Sequence, residues 1–349
     1  MSLVFMPLSW VYGGAVRARR WGYEHGWSRV HALGRPVISV GNLSVGGTGK
    51  TPVVIAIGAA LLARGVRVTV LSRGYRGMSE RGGALVSDGR GGVAVTWEQG
   101  GDEPALIARR LPGAAVIVGR DRAAAWQRFG AALPPGVVIL DDGFQHLAIA
   151  RDENVVLLDA TEDSSRTALL PQGRLREPWS ALSRATAVMI TRVDHAAPGA
   201  VDALERRVRA GRMDVPVFHA RFEPVGLIEV GTGCGRSLDS LRGTSVLAVA
   251  GIGRFESFTR LLERCGARLI ETVPYPDHHP YSRADADRLV SRAQAANATM
   301  IVTTEKDAVK LERLVAADAS LWAVRIETRI DPPDAWDTML DRLAAGAKA

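Results

Sequence analysis

The chain has 349 residues, 47% hydrophobic and 23% charged, an ordinary balance for a folded globular protein that leaves no long segment to disorder. Lys and Arg exceed Asp and Glu by 44 to 37, a net charge of +7, which suits an anionic partner such as nucleic acid, a phosphorylated substrate or an acidic membrane. No run of about 18 apolar residues occurs, so no bilayer span is expected. The N-terminus lacks the basic leader and cleavage pattern of a secretory signal. Cys234 and Cys265 form neither a metal spacing nor a disulfide framework, which points to a reducing, cytoplasmic compartment.

In chain order, the first 36 residues stand apart. Phe5, Trp10, Tyr12, Trp21, Tyr23 and Trp27 are interleaved with Arg17, Arg19, Arg20, Arg29 and Arg35 against one acid, Glu24. That composition fits a segment lying in a membrane interface. It equally fits a helix packed on the protein's own surface with its arginines in water. From residue 36 the pattern becomes strand, turn and helix. Pro36–Val40 is an expected buried strand, 41–49 a loop, and Thr51–Arg64 a helix stopped at Gly65. Val66–Leu71, Ala114–Val118, Val137–Leu140, Val155–Leu158 and Ala187–Ile190 are further apolar runs of strand length, and Gly82–Gly101 is a hairpin or mobile loop. Val217–Phe222 and Gly226–Val230 alternate as a β linker. Strands at Val246–Ala250, Arg268–Val273, Met300–Thr303 and Leu321–Arg325 form a second series.

The expected fold class is α/β: two α/β/α domains with mainly parallel sheets. The boundaries are an N-terminal segment 1–35, a P-loop NTPase-like domain 36–215, a short β-stranded linker 216–243 and a smaller Rossmann-like domain 244–349, with a cleft between the domains.

The segment Ser44-Val-Gly-Gly-Thr-Gly-Lys-Thr51 directly follows a strand and opens a helix. Glycines at Gly46, Gly47 and Gly49 let backbone N–H groups, with that of Thr48, surround phosphate oxygens at a helix N-terminus. Lys50 then reaches the β- and γ-phosphates of ATP, and the Thr51 hydroxyl reaches Mg²⁺. Ser44 stands where the common motif has its first glycine. Only four lysines occur, Lys50, Lys306, Lys310 and Lys348, against forty arginines (44 − 4). A compact ammonium is therefore a mildly informative choice wherever it appears.

The strand Val137–Leu140 ends in Asp141 and Asp142, where a second Mg²⁺-organising carboxylate belongs beside a P-loop. The alternative is that one of them caps the following turn. His146 either touches phosphate or satisfies backbone. Asp102, after two glycines, either starts the helix Ala105–Leu111 or accepts a proton from an attacking hydroxyl. The turn Leu170–Pro178 carries Arg174, Arg176 and Glu177, which could neutralise phosphate and join a metal shell, or form exposed ion pairs of little energy. Ser72-Arg-Gly-Tyr75 and Thr303–Asp307 end strands and stand similarly open. In Pro274-Tyr-Pro-Asp-His-His-Pro-Tyr281 two adjacent histidines face opposite ways on extended chain, so at most one enters a site.

Taken together, Ser39–Pro52, Leu71–Tyr75, Gly101–Pro104, Leu140–His146, Gly173–Pro178, Tyr275–His279 and Thr304–Asp307, in that order, resemble the tetraacyldisaccharide 4'-kinase (lipid A 4'-kinase) family, whose own pattern includes the Ser44 departure. The resemblance implies transfer of the ATP γ-phosphate to the 4'-hydroxyl of a tetraacylated glucosamine disaccharide 1-phosphate, giving lipid IVA, with Mg²⁺ held by Thr51, Asp141, Asp142 and, as a hypothesis, Glu177. It implies a catalytic pair of Asp102 with a histidine, His278 rather than His279. It also implies peripheral seating of the N-terminal helix on the cytoplasmic face of the bacterial inner membrane. A lipid substrate and a membrane surface are then the expected partners, with no nucleic acid and no obligate protein partner.

Overall fold

The computed structural model describes residues 5–163, 168–211, 214–315 and 319–348; residues 1–4 of the aromatic N-terminal segment lie outside it. The chain divides into two compact units. The first gathers residues 1–100, 107–222 and 328–349, and the second 101–106 and 223–327. Residues 328–349, expected with the C-terminal domain, thus belong to the first unit by their packing.

In the first unit β1 (Val37–Asn42), β2 (Val68–Ser72), β4 (Ala114–Val118), β5 (Val137–Asp141) and β7 (Ala187–Thr191) are buried along their whole length, as is β6 (Glu153–Asp159) after its first residue. Continuous Val/Ile/Leu runs of this kind form a parallel sheet covered on both faces. The order is β3-β4-β2-β5-β1-β6-β7-β8, where β3 is Ala84–Asp88 and β8 is Val217–Glu229. The edge strand β3 runs antiparallel to its neighbour β4. The Gly82–Gly101 stretch, open between hairpin and mobile loop, supplies that edge.

β1 sits between β5 and β6, so the loop leaving β1 opens beside the carboxyl ends of both, where ligands bind in open α/β sheets. The helix α2 (Lys50–Ala63) follows at once. Its sequence KTPVVIAIGAALLA is apolar on nearly every side, and Val53, Val54, Ile57 and Leu61 are buried. A helix apolar all round needs cover on every face. Part of that cover is the C-terminal helix Pro333–Gly346, whose Trp336 meets Phe218 edge-on at 5.1 Å. Its Asp337 and Asp341 accept from Arg64 at 2.6 and 2.7 Å just past the end of α2.

The helix α1 (Met6–Glu24) docks through small and polar groups. The Ser9 hydroxyl donates to the Leu169 carbonyl at 3.1 Å and accepts from the Gln172 N–H at 3.0 Å, and Tyr12 donates to the Arg176 carbonyl at 3.0 Å. A Cβ on Gly13 would meet Leu169 at 2.9 Å. Phe5, Leu8, Trp10 and Val11 remain exposed, Trp10 and Val11 each at 71%.

The second unit carries the parallel order β11-β10-β12-β13, from Arg268–Pro274, Ser245–Ala250, Met300–Thr304 and Leu321–Asp331. The short β9 (Gly235–Arg236) runs antiparallel to the Leu227–Ile228 part of β8. The strands β8 and β13 both run from one unit into the other, as does the helix Asp102–Arg110. An α/β fold with mainly parallel sheets is what the alternation of apolar runs and helices called for.

Trp336 is 6% exposed, and Trp336→Ala should cost about 3–5 kcal/mol, the usual range for emptying a large aromatic site. A urea unfolding midpoint unchanged from wild type would show that the C-terminal helix does not brace the first unit.

Candidate active site

The loop between β1 and α2 is held by its carbonyls. Arg174 donates to the Val45 carbonyl at 2.8 Å, Arg192 to that of Gly47 at 2.6 Å, and the Thr191 hydroxyl to that of Thr48 at 2.9 Å. A trans peptide points its N–H opposite to its C=O, so fixing the Val45 and Thr48 carbonyls turns the N–H groups of Gly46 and Gly49 away from these anchors. The Thr48 N–H instead bonds the Gly46 carbonyl at 3.2 Å. Gly49 has φ of 90°, and a Cβ there would lie 2.1 Å from the Phe222 ring. No side chain caps α2, so its first N–H groups and its dipole face the loop, an arrangement suited to phosphate. Ser44 is buried, and its hydroxyl donates to Glu162 at 3.0 Å. A glycine could not make that bond.

Around this loop the structure collects most of the expected ligands. The Lys50 ammonium lies 3.3 Å from Asn42 Oδ1 and 3.5 Å from Asp142. Asp142, in the left-handed region at φ of 48°, also accepts from Arg176 at 2.8 and 3.0 Å. Burial would raise its pKa, but Lys50, Arg176 and Arg122 outweigh burial and hold it at about 2. Asp141 is buried and accepts from Ser72 at 2.8 Å. Arg122, buried and with its pKa lowered chiefly by that burial, donates to the carbonyls of Asp141 and Asp142 at 2.9 and 3.3 Å. Thr51 begins the second position of α2. Hard oxygen donors of this type fit Mg²⁺.

Two further groups are engaged by their own neighbours. Glu177 lies against Arg184, each of its oxygens 2.9 Å from the Arg184 guanidinium. No contact joins it to Thr51, Asp141 or Asp142 among the described residues. The backbone N–H of His146 bonds the Gly143 carbonyl at 2.9 Å and its carbonyl accepts from Arg151, while its buried Nε2 has no hydrogen-bond partner among the described residues. Burial, with Arg122 and Arg151 nearby, lowers its pKa to about 3, so the imidazole is neutral at neutral pH.

The second unit holds a separate cluster. Asp102, 6% exposed, lies 2.9 Å through Oδ2 from Nδ1 of His278. His279 turns elsewhere, to Asp285 at 3.3 Å, and stacks on Tyr275 at 4.3 Å. Burial opposes ionisation of Asp102, but the hydrogen bond from His278 and the charges of Lys306 and Lys310 lower its pKa overall. Lys310, 1% exposed, lies 2.8 Å from Asp307 and 3.8 Å from Asp102, and donates to the His279 carbonyl at 3.1 Å. Asp307 in turn accepts from the Gly251 N–H at 2.9 Å.

Arg122, Asp159, Thr191, Arg192 and Lys310 carry no motif that marks them in the sequence. Of these only Lys310 had a signal, the scarcity of lysine. Three of the four lysines, Lys50, Lys306 and Lys310, stand in the two clusters.

A family model described as tetraacyldisaccharide-1-P 4'-kinase matches residues 1–344 of the chain. The tetraacyldisaccharide 4'-kinase of Anaeromyxobacter sp. (strain K) is 42% identical over 328 residues, covering 93% of this chain and 86% of the relative. That of Geobacter metallireducens is 40% identical over 336 residues, covering 96% of each. Among solved structures, LpxK from Aquifex aeolicus, crystallised with ATP, is 31% identical and covers 97% of this chain and 98% of that one, with a TM-score of 0.79.

The depressed pKa of Asp142 has a consequence for stability. A carboxyl group at about 2 in the folded state and about 3.9 unfolded stabilises the fold above pH 4, and that contribution is lost as pH falls toward 2. Asp142→Asn should therefore be less stable than wild type at pH 7, with the difference closing between pH 4 and 2. Urea midpoints that stay equally separated over that window would remove the charge–charge account of Asp142.

Proposed function

The chain belongs to the tetraacyldisaccharide 4'-kinase family, and from that premise we propose which of its residues carry the reaction. The activity is ATP-dependent phosphorylation of the 4'-hydroxyl of tetraacyldisaccharide 1-phosphate, forming lipid IVA. The Gly46–Thr51 loop grips the β- and γ-phosphates of ATP through backbone N–H groups and the Lys50 ammonium. Thr51, Asp141 and Asp142 would hold Mg²⁺, which would supply neutralisation of charge on the phosphate oxygens. Ser72 and Arg122 keep the two aspartates in place. Glu177 contributes by anchoring Arg184 instead of ligating the metal.

Asp102 takes the proton of the 4'-hydroxyl as that oxygen attacks phosphorus, and His278 orients the carboxylate. The Asp102–His278 contact of 2.9 Å carries this assignment. A phosphate-gripping loop alone serves any nucleotide hydrolase, whereas an ionised, buried carboxylate backed by imidazole is a device for receiving a proton from an acceptor alcohol.

Peripheral attachment to the cytoplasmic face of the inner membrane is the second part of the proposal. No described helix is long and apolar enough to cross a membrane. Support comes from α1, where exposed Phe5, Leu8, Trp10 and Val11 are followed by exposed Arg17 and Arg19. An apolar end beside cationic side chains suits the headgroup region of an anionic leaflet.

Incubation with Mg-ATP and the tetraacyl disaccharide 1-phosphate should add one phosphate, seen by mass spectrometry. Asp102→Asn should lower kcat by about 10²–10⁴-fold, the usual worth of a positioned acid or base, while ATP affinity by calorimetry is unchanged. Full turnover in that variant would remove Asp102 from catalysis. For attachment, Trp10→Asp with Leu8→Glu should abolish flotation with anionic lipid vesicles and leave the circular dichroism spectrum intact. Undiminished flotation would exclude α1 as the anchor.

A further inference from the structure

The two ring nitrogens of His278 face opposite kinds of partner. Nδ1 lies 2.9 and 3.2 Å from the two oxygens of Asp102, which, ionised, only accept hydrogen bonds. Nε2 lies 3.1 Å from the Lys306 ammonium, which has three N–H donors and no lone pair. Asp277 Oδ2 is farther from Nε2, at 3.8 Å, too long for a hydrogen bond. Lys306 is itself fixed by Asp277 at 3.1 Å, with Glu103 at 3.8 Å and Asp102 at 3.9 Å.

One arrangement of protons satisfies all of these described contacts. With the proton on Nδ1, His278 donates to Asp102 and its Nε2 lone pair accepts from Lys306. With the proton on Nε2, an N–H would face the ammonium and a lone pair would face the carboxylate. With both nitrogens protonated, an imidazolium N–H would again face the ammonium at 3.1 Å, and two like charges would meet in a half-buried site.

We propose that Lys306 is a positioning residue of the 4'-kinase reaction, which donates to Nε2 of His278 and so locks the imidazole as the neutral Nδ1–H tautomer that serves Asp102. His278 is then neither the base nor a proton store, because its one lone pair is already occupied. Proton acceptance stays with Asp102. The deduction rests on the assignment of Asp102 and His278 to the reaction. It adds a third member, from the helix Glu305–Leu311, and fixes the direction of each hydrogen bond.

Charged groups reach this imidazole from three elements. Asp102 comes from the start of the helix Asp102–Arg110, Asp277 from the loop after β11 and Lys306 from the helix Glu305–Leu311, with Glu103 against Lys306 and Lys310 against Asp102 behind them. Removing Lys306 takes away the donor to Nε2, so Lys306→Met should change the environment of that nitrogen while Nδ1 keeps its bond to Asp102.

The test is ¹⁵N NMR of the full chain labelled at histidine, with the His278 signals identified by their loss in His278→Asn. Wild type should show a protonated Nδ1 and an unprotonated Nε2 at neutral pH. Lys306→Met should shift the Nε2 resonance, because the hydrogen bond from the ammonium is lost. Its kcat should fall by about ten- to a hundredfold, the usual cost of losing a partner that orients a reacting group, with the KM for ATP unchanged. Lys306→Arg, which keeps a cationic donor, should restore the wild-type Nε2 resonance in part. An Nε2–H tautomer or an imidazolium in wild type at neutral pH overturns the proposal, even if Lys306→Met fails to fold. So does an Nε2 resonance that is the same in Lys306→Met and wild type. Neither spectrum depends on turnover, so failure of the underlying assignment is seen separately, as retained turnover in Asp102→Asn.

Discussion

The anchoring of three carbonyls, those of Val45, Gly47 and Thr48, underlies everything the first unit does with phosphate. A glycine-rich loop is free to collapse onto its own hydrogen bonds, and such a loop would hide its N–H groups. Here Arg174, Arg192 and Thr191 hold the peptide planes from outside, and the donors of Gly46 and Gly49 are left facing the other way. Arg192 is in turn tied to Asp159 at the end of β6, and Thr191 ends β7. Two neighbouring parallel strands therefore set the shape of a loop that follows a third.

The same logic runs through the aspartates. Asp141 and Asp142 are oriented by Ser72 at the end of β2, Arg122 at the start of a short helix and Arg176 on the Leu170–Pro178 turn. The second unit repeats it with lysine, where Lys306, Lys310 and Asp307 surround the Asp102–His278 pair. Charge in both clusters is compensated locally, which keeps buried or half-buried carboxylates ionised. An ionised carboxylate is what either metal ligation or proton acceptance requires.

Much of this was legible from the chain because the chemistry is carried by short local words. The strand before Gly46, the helix after Lys50 and the acids after Val137–Leu140 all lie within a few residues of one another, and local periodicity is enough to place them. Glu177 and Arg192 were harder for the opposite reason. Glu177, open between a metal shell and an ion pair, lies against Arg184, seven residues away across a short 3₁₀ helix. Arg192 is one of forty arginines and joins the loop only because β7 lies two strands from β1 in the sheet. The N-terminal helix was ambiguous between self-packing and lipid. Its docked face turns out to be Ser9, Tyr12 and Gly13, with Trp10 and Val11 left in solvent.

The α/β class, the phosphate loop, the acids after β5 and the family are all readable along the chain, since each depends on residue types at fixed spacing along the backbone. Tertiary structure placed the histidine that the family resemblance favours, His278, against Asp102. Neighbouring side chains on an extended chain point apart, and only the backbone turn at His278, with φ of 60°, selects one of them. It also decided how the phosphate loop is held open. Hydrogen bonds to backbone carbonyls leave no mark on residue spacing, and their donors come from strands more than a hundred residues away.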